Sequence, residues 1–552
     1  MCHLRLFKGV IFLKIKKLSS VLLAAILAIS MVGCGNKSAS SDEKTITACM
    51  EAEPESLDQA KGSDWCSFIV ENQYTEGLTS VIVKDGVDTV EPGIAEKWEN
   101  SEDQLTWTFH LRDAKWSDGE PVKAQDFVFG MKRILDPNNA SPLSANINFI
   151  KNGEAVLAGE KSVDELGIKA IDDKTLEIQL DRPVPYLLEI AASAPMQPVR
   201  EDKVKEFGEA YGTEADKAIG CGPFVIDEWE HNSKISFSKN PEYWNAENVK
   251  IDKLDIKIIE DTATAVESFE NGELDYVSVY DAEWIQKLSE GDYNIIEKQP
   301  SETKYMFFNQ EEKLFSNDKV RKAFSVALNR EEIEKDLTKG LDKAAFGWVA
   351  PCVMIGEENY REASPAPVQD LIKENPDAKK LLSEGLKELG MDPDPSKLTI
   401  SLMCPDYEKT FAEYAQQSLK ETLGVNIEID AAEWTVFQER NRGLDYQFGI
   451  KSYMALYNDP SSVMNLWFSD NNTVPIGWGS EEYDKLVKEA NASIDTELRK
   501  SNFQKAEKIL LYEDAAIAPY SFVASKNFTQ KNVTNVMDPV YSAVQFKYAE
   551  KN

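Results

Sequence analysis

Histidine is the residue on which most acid-base and metal chemistry depends, and this chain has three: His3, His110 and His231. His3 falls in an N-terminal leader. His110 lies on the polar side of a predicted strand, and His231 lies in the polar run Glu230-His231-Asn232-Ser233, so both read as surface residues. There is no H-E-x-x-H, no G-x-S-x-G elbow, no Walker loop and no G-x-G-x-x-G. Cys49, Cys66, Cys221, Cys352 and Cys404 show no C-x-x-C spacing; they allow at most two disulfides, with one thiol left over, and make a zinc site improbable. With 95 Asp and Glu, carboxylate pairs are too common to mark a glycosidase cleft, so an extracellular carboxylate-dependent hydrolase stays as a rival class that no particular pair supports. The expectation is a binding protein, not an enzyme, with no cofactor and no metal.

The first residues carry an address. Arg5, Lys8, Lys14, Lys16 and Lys17 precede an apolar run from Leu18 to Val32 that is broken only by Ser19, Ser20 and Ser30. This is the charged start and apolar middle of a signal peptide, and the run is shorter than the ~20 residues a membrane span requires. Met31-Val32-Gly33-Cys34 resembles the lipobox at which bacterial lipoproteins are cleaved and acylated on the cysteine, here Cys34. Residues 1–33 then form a lipoprotein signal peptide. Residues 34–44 form a small, polar tether that cannot fill a core. The expected location is extracytoplasmic, on the outer face of the cell membrane, or on the periplasmic side if there are two membranes, with the lipid as the only membrane contact. A net charge of −34 argues against nucleic acid as a partner.

At 552 residues the chain has room for two or three domains and a cleft between them. Leu105, Trp107, Phe109 and Leu111 alternate with polar residues and predict a strand; Phe127, Met131, Ile134 and Leu135 predict a helix stopped by Asp136-Pro137. Leu254, Ile256 and Ile258, and Leu398, Ile400 and Leu402, predict further strands. Two more helical stripes run through Val320, Ala323, Phe324, Ala327 and Leu328 and, behind a Ser480 cap, through Tyr483, Leu486, Val487 and Ala490. Strands and helices alternate throughout, which is an α/β pattern without internal repeats.

Several ordered segments resemble solute-binding family 5, the substrate-binding proteins of oligopeptide and dipeptide ABC importers. They are Pro54-Glu55-Ser56-Leu57-Asp58; Glu76-Gly77-Leu78; Pro92-Gly93-Ile94-Ala95-Glu96-Lys97-Trp98; Leu111-Arg112 with Lys115-Trp116-Ser117-Asp118-Gly119 and Asp126-Phe127-Val128; Gly220-Cys221-Gly222-Pro223-Phe224 with Trp229 and Asn240-Pro241-Glu242-Tyr243-Trp244; Gly272-Glu273-Leu274-Asp275; and Val320-Arg321-Lys322-Ala323. Ala140-Ser141-Pro142 and Val184-Pro185-Tyr186 are most similar to the oligopeptide binders. Several of these residues also have a purely architectural reading, Trp116, Trp229, Tyr243 and Trp244 as core and Gly119 and Gly222 as turns.

The resemblance implies a periplasmic-binding-protein type II (cluster C) fold, a hinge-linked two-lobed α/β clam with an extra domain. It implies a first lobe of 45–76, 219–300 and 523–552, an extra domain of 77–218 on that lobe, and a second lobe of 301–522. It implies that a peptide is held as an added strand against Ser63, Asp64 and Trp65 and against Lys451, Ser452, Tyr453, Met454, Ala455, Leu456, Tyr457 and Asp459. The implied partners are an oligopeptide or related small solute and ABC permease subunits with their ATPases, and the implied state is monomeric. Nickel, sugars and other solutes also have binders in this family, nickel being disfavoured here by the scarcity of histidine.

One departure stands out. In the oligopeptide binders an aspartate just before the Tyr-Asn-acid-Pro motif pairs with the peptide's amino terminus. Here the motif is Tyr457-Asn458-Asp459-Pro460 and the matching residue is Leu456. An arginine and a glutamate of that group align with Ile450 and Met306. Either another acid, such as Asp459 or Asp64, meets the ammonium, or the ligand has none at that place.

Overall fold

Thr106–Leu111 is the strand that the alternation predicts: Trp107, Phe109 and Leu111 are buried, and the residues between them are half-buried. The structure is a computed structural model that describes residues 43–552 except 85 and 471–473. Cys34, the signal peptide and nearly all of the tether lie outside the described residues. Residues 44–552 form one compact unit.

Three larger sheets carry that unit. Thr106–Leu111 belongs to an antiparallel four-stranded sheet with Ala95–Asn100, Thr175–Gln179 and Ile168–Asp172. The helix Ala124–Leu135 lays Phe127, Met131, Ile134 and Leu135 on it and ends at Asp136, as expected. Trp116 is fully buried beside this helix, and its Nε1 donates to Asp126 Oδ2 at 3.1 Å.

In the second sheet Thr45–Met50 runs parallel to Lys253–Ile258, followed by the antiparallel strands Lys234–Lys239 and Phe224–Glu230. Ile46, Ala48 and Met50 join Leu254 and Ile256 in a core that also takes Cys66, Val70 and Tyr74 of the helix Trp65–Tyr74. Gly119 serves its turn in the left-handed region, at φ 89°. Gly222 does something else: its N–H donates to Tyr74 O at 2.9 Å, and a Cβ would fall 2.6 Å from Thr75 O. The glycine is there for close backbone approach, not for a turn.

The third sheet has seven strands. Its order is Tyr276–Val279, Ile517–Thr529, Asn294–Phe308, Phe448–Met454, Thr399–Pro405 and Asn426–Ala432, with Lys343–Ala344 also on Ile517–Thr529. Two strands are unusually long, Asn294–Phe308 with 15 residues and Ile517–Thr529 with 13. They pair antiparallel along their length except for two breaks in register, a wider one between Lys298 and Glu302 and a second between Lys304 and Tyr305. A break of this kind bends and twists a ladder locally.

The predicted helices Asp318–Ala327 and Glu481–Asn491 are present, and Ser480 Oγ accepts from Tyr483 N–H as a cap. Arg330, buried beside the long strands, donates to Ala345 O, Pro519 O and Ser325 O. Cys49, Cys66, Cys221, Cys352 and Cys404 are all free thiols. Among the described residues no helix is long and apolar enough to cross a membrane.

Candidate ligand-binding cavity

A cavity of about 100 Å³ lies where five stretches of chain meet. Helix Trp65–Tyr74 contributes Trp65, Phe68, Glu71 and Asn72; the end of strand Phe448–Met454 and the turn after it contribute Met454, Ala455, Leu456 and Tyr457. Residues 143–146, 190–195 and 540–543 complete the wall. Most of this lining is apolar, which suits a ligand with an apolar body fixed by few polar groups.

The strand Phe448–Met454 pairs with Asn294–Phe308 along one edge, through Glu302↔Met454 to Phe308↔Phe448. On its other edge only Phe448 and Gly449 pair with Thr399–Pro405. From Ile450 to Met454 that second edge has no strand partner among the described residues. Its unpaired main chain is able to accept another strand.

Contacts close the wall. The Tyr186 and Tyr457 rings stack at 3.8 Å between centroids. Asn458 N–H donates to Glu189 Oε2 at 2.8 Å, and Asn458 Oδ1 accepts from Met354 N–H at 2.8 Å. Burial pushes the Glu189 carboxyl up to about 7, with the Asn458 N–H pulling the other way and Asp459 and Asp88 adding to the rise. Tyr541 Oη donates to Cys352 Sγ at 3.0 Å. At the register break, Lys298 pairs with Asp538 at 3.0 Å and lies 5.4 Å from the Trp65 ring centroid.

The residues singled out in the sequence separate into two groups. Trp65, Met454, Ala455, Leu456 and Tyr457 line the cavity; Ser63, Asp64, Lys451, Ser452, Tyr453 and Asp459 do not. Ser63 is exposed. Asp64 caps the helix, accepting from Ser67 N–H at 2.9 Å and from Glu55 N–H at 3.1 Å. Lys451 is buried on the far side of its strand, donates to Asn441 Oδ1 at 2.9 Å, and has its ammonium pushed down to about 7 by burial. Ser452 is half-buried beside Glu302, and Tyr453 packs into the core behind the strand. Asp459 is held by Arg499 at 2.6 Å, both side chains being buried. Neither acid named as a replacement for Leu456 is therefore free to meet a ligand.

Sequence reasoning missed Glu71, Asn72, Asn146, Glu189 and Tyr541. A signal for Glu71 exists, because it follows Phe68-Ile69-Val70 on a short helix that has almost no solvent-facing side.

The model of "bacterial extracellular solute-binding proteins, family 5 Middle" matches residues 89–474. The chain is 34% identical to the dipeptide-binding protein DppE of Bacillus subtilis, over 98% of this chain and 100% of that one. It is 33% identical to the oligopeptide-binding protein OppA of the same organism, over 97% and 99%. Among solved structures, OppA of Listeria monocytogenes bound to peptide superposes with a TM-score of 0.77 at 28% identity, over 93% of this chain and 99% of that one. The murein tripeptide binding protein MppA of Escherichia coli superposes with a TM-score of 0.79 at 26% identity, over 93% and 99%. The two-lobed α/β fold of type II periplasmic binding proteins is shared with these structures. By its sequence and its fold, this chain belongs to the family 5 bacterial extracellular solute-binding proteins.

Proposed function

We propose that this protein is the extracytoplasmic substrate-binding component of a peptide ABC importer, which closes around an oligopeptide and delivers it to permease subunits driven by ATPases. The observation that carries the reading is the unpartnered edge of Phe448–Met454, which ends at the cavity wall. A peptide laid there as an added strand is held by its main chain, so binding tolerates many side chains. The relatives named for dipeptides, oligopeptides and a murein tripeptide support the same ligand class.

In this reading the lobes are 45–76 with 219–300 and 523–552, and 301–522, with 77–218 as the extra domain. The register break between Lys298 and Glu302 is then the hinge, and the contacts of Asn458 with Glu189 and of Tyr457 with Tyr186 form on closure. Capture and release need no covalent step, so the protein works without being an enzyme. Anchoring through a lipid on Cys34 would hold it beside the permease, as a monomer.

Native mass spectrometry of protein purified from peptide-rich medium tests the reading. Co-purified linear peptides of mixed sequence are expected. A single non-peptide species keeps the transport role and overturns the ligand, and hydrolysis of added peptides or glycosides revives an enzyme.

A further inference from the structure

Glu71 is the one acid among the residues that line the cavity, and no lysine or arginine lines it. The residue is 1% exposed, yet neither carboxyl oxygen has a hydrogen-bond partner among the described residues. Two of the nearby donors are committed elsewhere. Tyr74 Oη donates to Leu57 O at 3.0 Å, and Arg133 binds Asp58 in a bidentate pair at 2.7 and 2.9 Å. Asp64 receives its hydrogen bonds from the helix start. A buried carboxyl left without a donor is costly to maintain, and a ligand that supplies the donor removes that cost.

We infer that Glu71 is the group that receives a protonated amine of the ligand, in a mostly apolar cavity, and so performs the task for which Leu456 has no side-chain chemistry. In the identification of that amine as a peptide's, the inference rests on the function proposed above. Glu71 and Leu456 stand on different segments but line the same cavity, so an ammonium beside Leu456 lies in the space that Glu71 borders. An ammonium brings three N–H donors and a full charge to a carboxyl that lacks both.

The proton balance is explicit. With the cavity empty, burial and the nearby Asp58 and Asp64 raise the Glu71 carboxyl well above the usual range, which favours its protonated form. When R–NH3⁺ enters, Glu71–COOH becomes Glu71–COO⁻ paired with the ammonium, and one proton leaves to solvent. Binding therefore releases a proton from Glu71 over the pH range in which the empty cavity holds it protonated. The amine could come from the peptide's α-amino terminus or from a lysine side chain, and both present the same chemistry to Glu71.

The test uses calorimetry on wild type and Glu71→Gln with three pools of short peptides: free amino termini without lysine, the same peptides N-acetylated, and N-acetylated peptides containing one lysine. A thermal-shift measurement with leucinamide and N-acetylleucinamide runs beside it and needs no peptide site. The wild type is expected to prefer a free-amine pool over its blocked counterpart by roughly ten- to a hundredfold, as for hydrogen bonds to charged groups. Its binding enthalpy should vary with the ionisation enthalpy of the buffer, in proportion to the released proton. Glu71→Gln should bind the blocked peptides as the wild type does and lose both the preference and the buffer dependence. Which free-amine pool is preferred names the source of the amine.

Equal binding of free and blocked peptides by the wild type, or a preference that survives in Glu71→Gln, overturns the role of Glu71 and leaves the peptide function standing. Stabilisation by leucinamide but not by its acetylated form, with no binding of any peptide pool, overturns the peptide function and keeps Glu71 as an amine receptor. If no peptide pool binds and leucinamide does not stabilise, both fail.

Discussion

Asp459 and Glu71 are both buried carboxyls near the same cavity, and they differ in what answers the charge. Arg499 sits 2.6 Å from Asp459, and Ser461 N–H donates to it at 2.9 Å, so Asp459 is already satisfied and its work is to fix the turn after Tyr457. Arg499→Ala leaves that carboxylate alone in the interior and should cost about 3 to 5 kcal/mol of stability, read as a fall in the urea midpoint. Asp459→Asn should also lower the midpoint while leaving the choice between free and blocked peptides unchanged. A loss of that choice without a loss of stability would return Asp459 to the ligand. Lys451 shows why side-chain type alone misleads: in a strand the side chains alternate, so Lys451 and Tyr453 pack behind the sheet while Met454 reaches the cavity.

At the scale of elements, Gly220-Cys221-Gly222 presses on the C-terminal end of the Trp65–Tyr74 helix, the helix that carries Trp65, Phe68 and Glu71 to the wall. Gly222→Ala places a methyl group against Thr75 backbone and should cost about 1 to 3 kcal/mol, as overpacking does. Because the strain falls on the cavity helix, ligand affinity should fall with melting temperature; unchanged affinity at a lowered melting temperature would confine the glycine to stability. Strands and helices with clean periods were legible: Thr106–Leu111 and Ala124–Leu135 lie where Phe109 and Phe127 put them, and Ser480 caps its helix. The cavity was less so. Leu456 and Trp65, named by resemblance to the family, line it, whereas Glu71 and Tyr541 come from separate segments, and no local pattern announces that a fold will bring them to one place. Gly222 was expected in a turn because composition cannot distinguish a positive φ from a close contact.

For the whole molecule, the state described is the one in which Glu189 is covered. Its carboxyl is raised from 4.5 to about 7 by that burial, and opening would return it to the ordinary range. The covered form thus holds its proton more tightly: closure is fully supported below about pH 4.5 and weakens as pH rises through about 7. Small-angle scattering of the ligand-free protein should show the radius of gyration growing across that window, and Glu189→Gln should flatten the change while keeping an acceptor for Asn458 N–H. A profile that Glu189→Gln leaves unchanged would place the titrating group elsewhere. The five free thiols have a consequence for life in an oxidising medium. Burial raises Cys49, Cys221 and Cys352 to about 12 and Cys66 and Cys404 to about 11, so almost no thiolate exists at neutral pH to attack an oxidant or another sulfur. Maleimide should label these five only after unfolding, and dithiothreitol should leave the melting temperature where it was. The five described cysteines carry no cross-link for an oxidase or isomerase to set, and once the chain is folded their high thiol pKa values and full or partial burial protect them from mispairing.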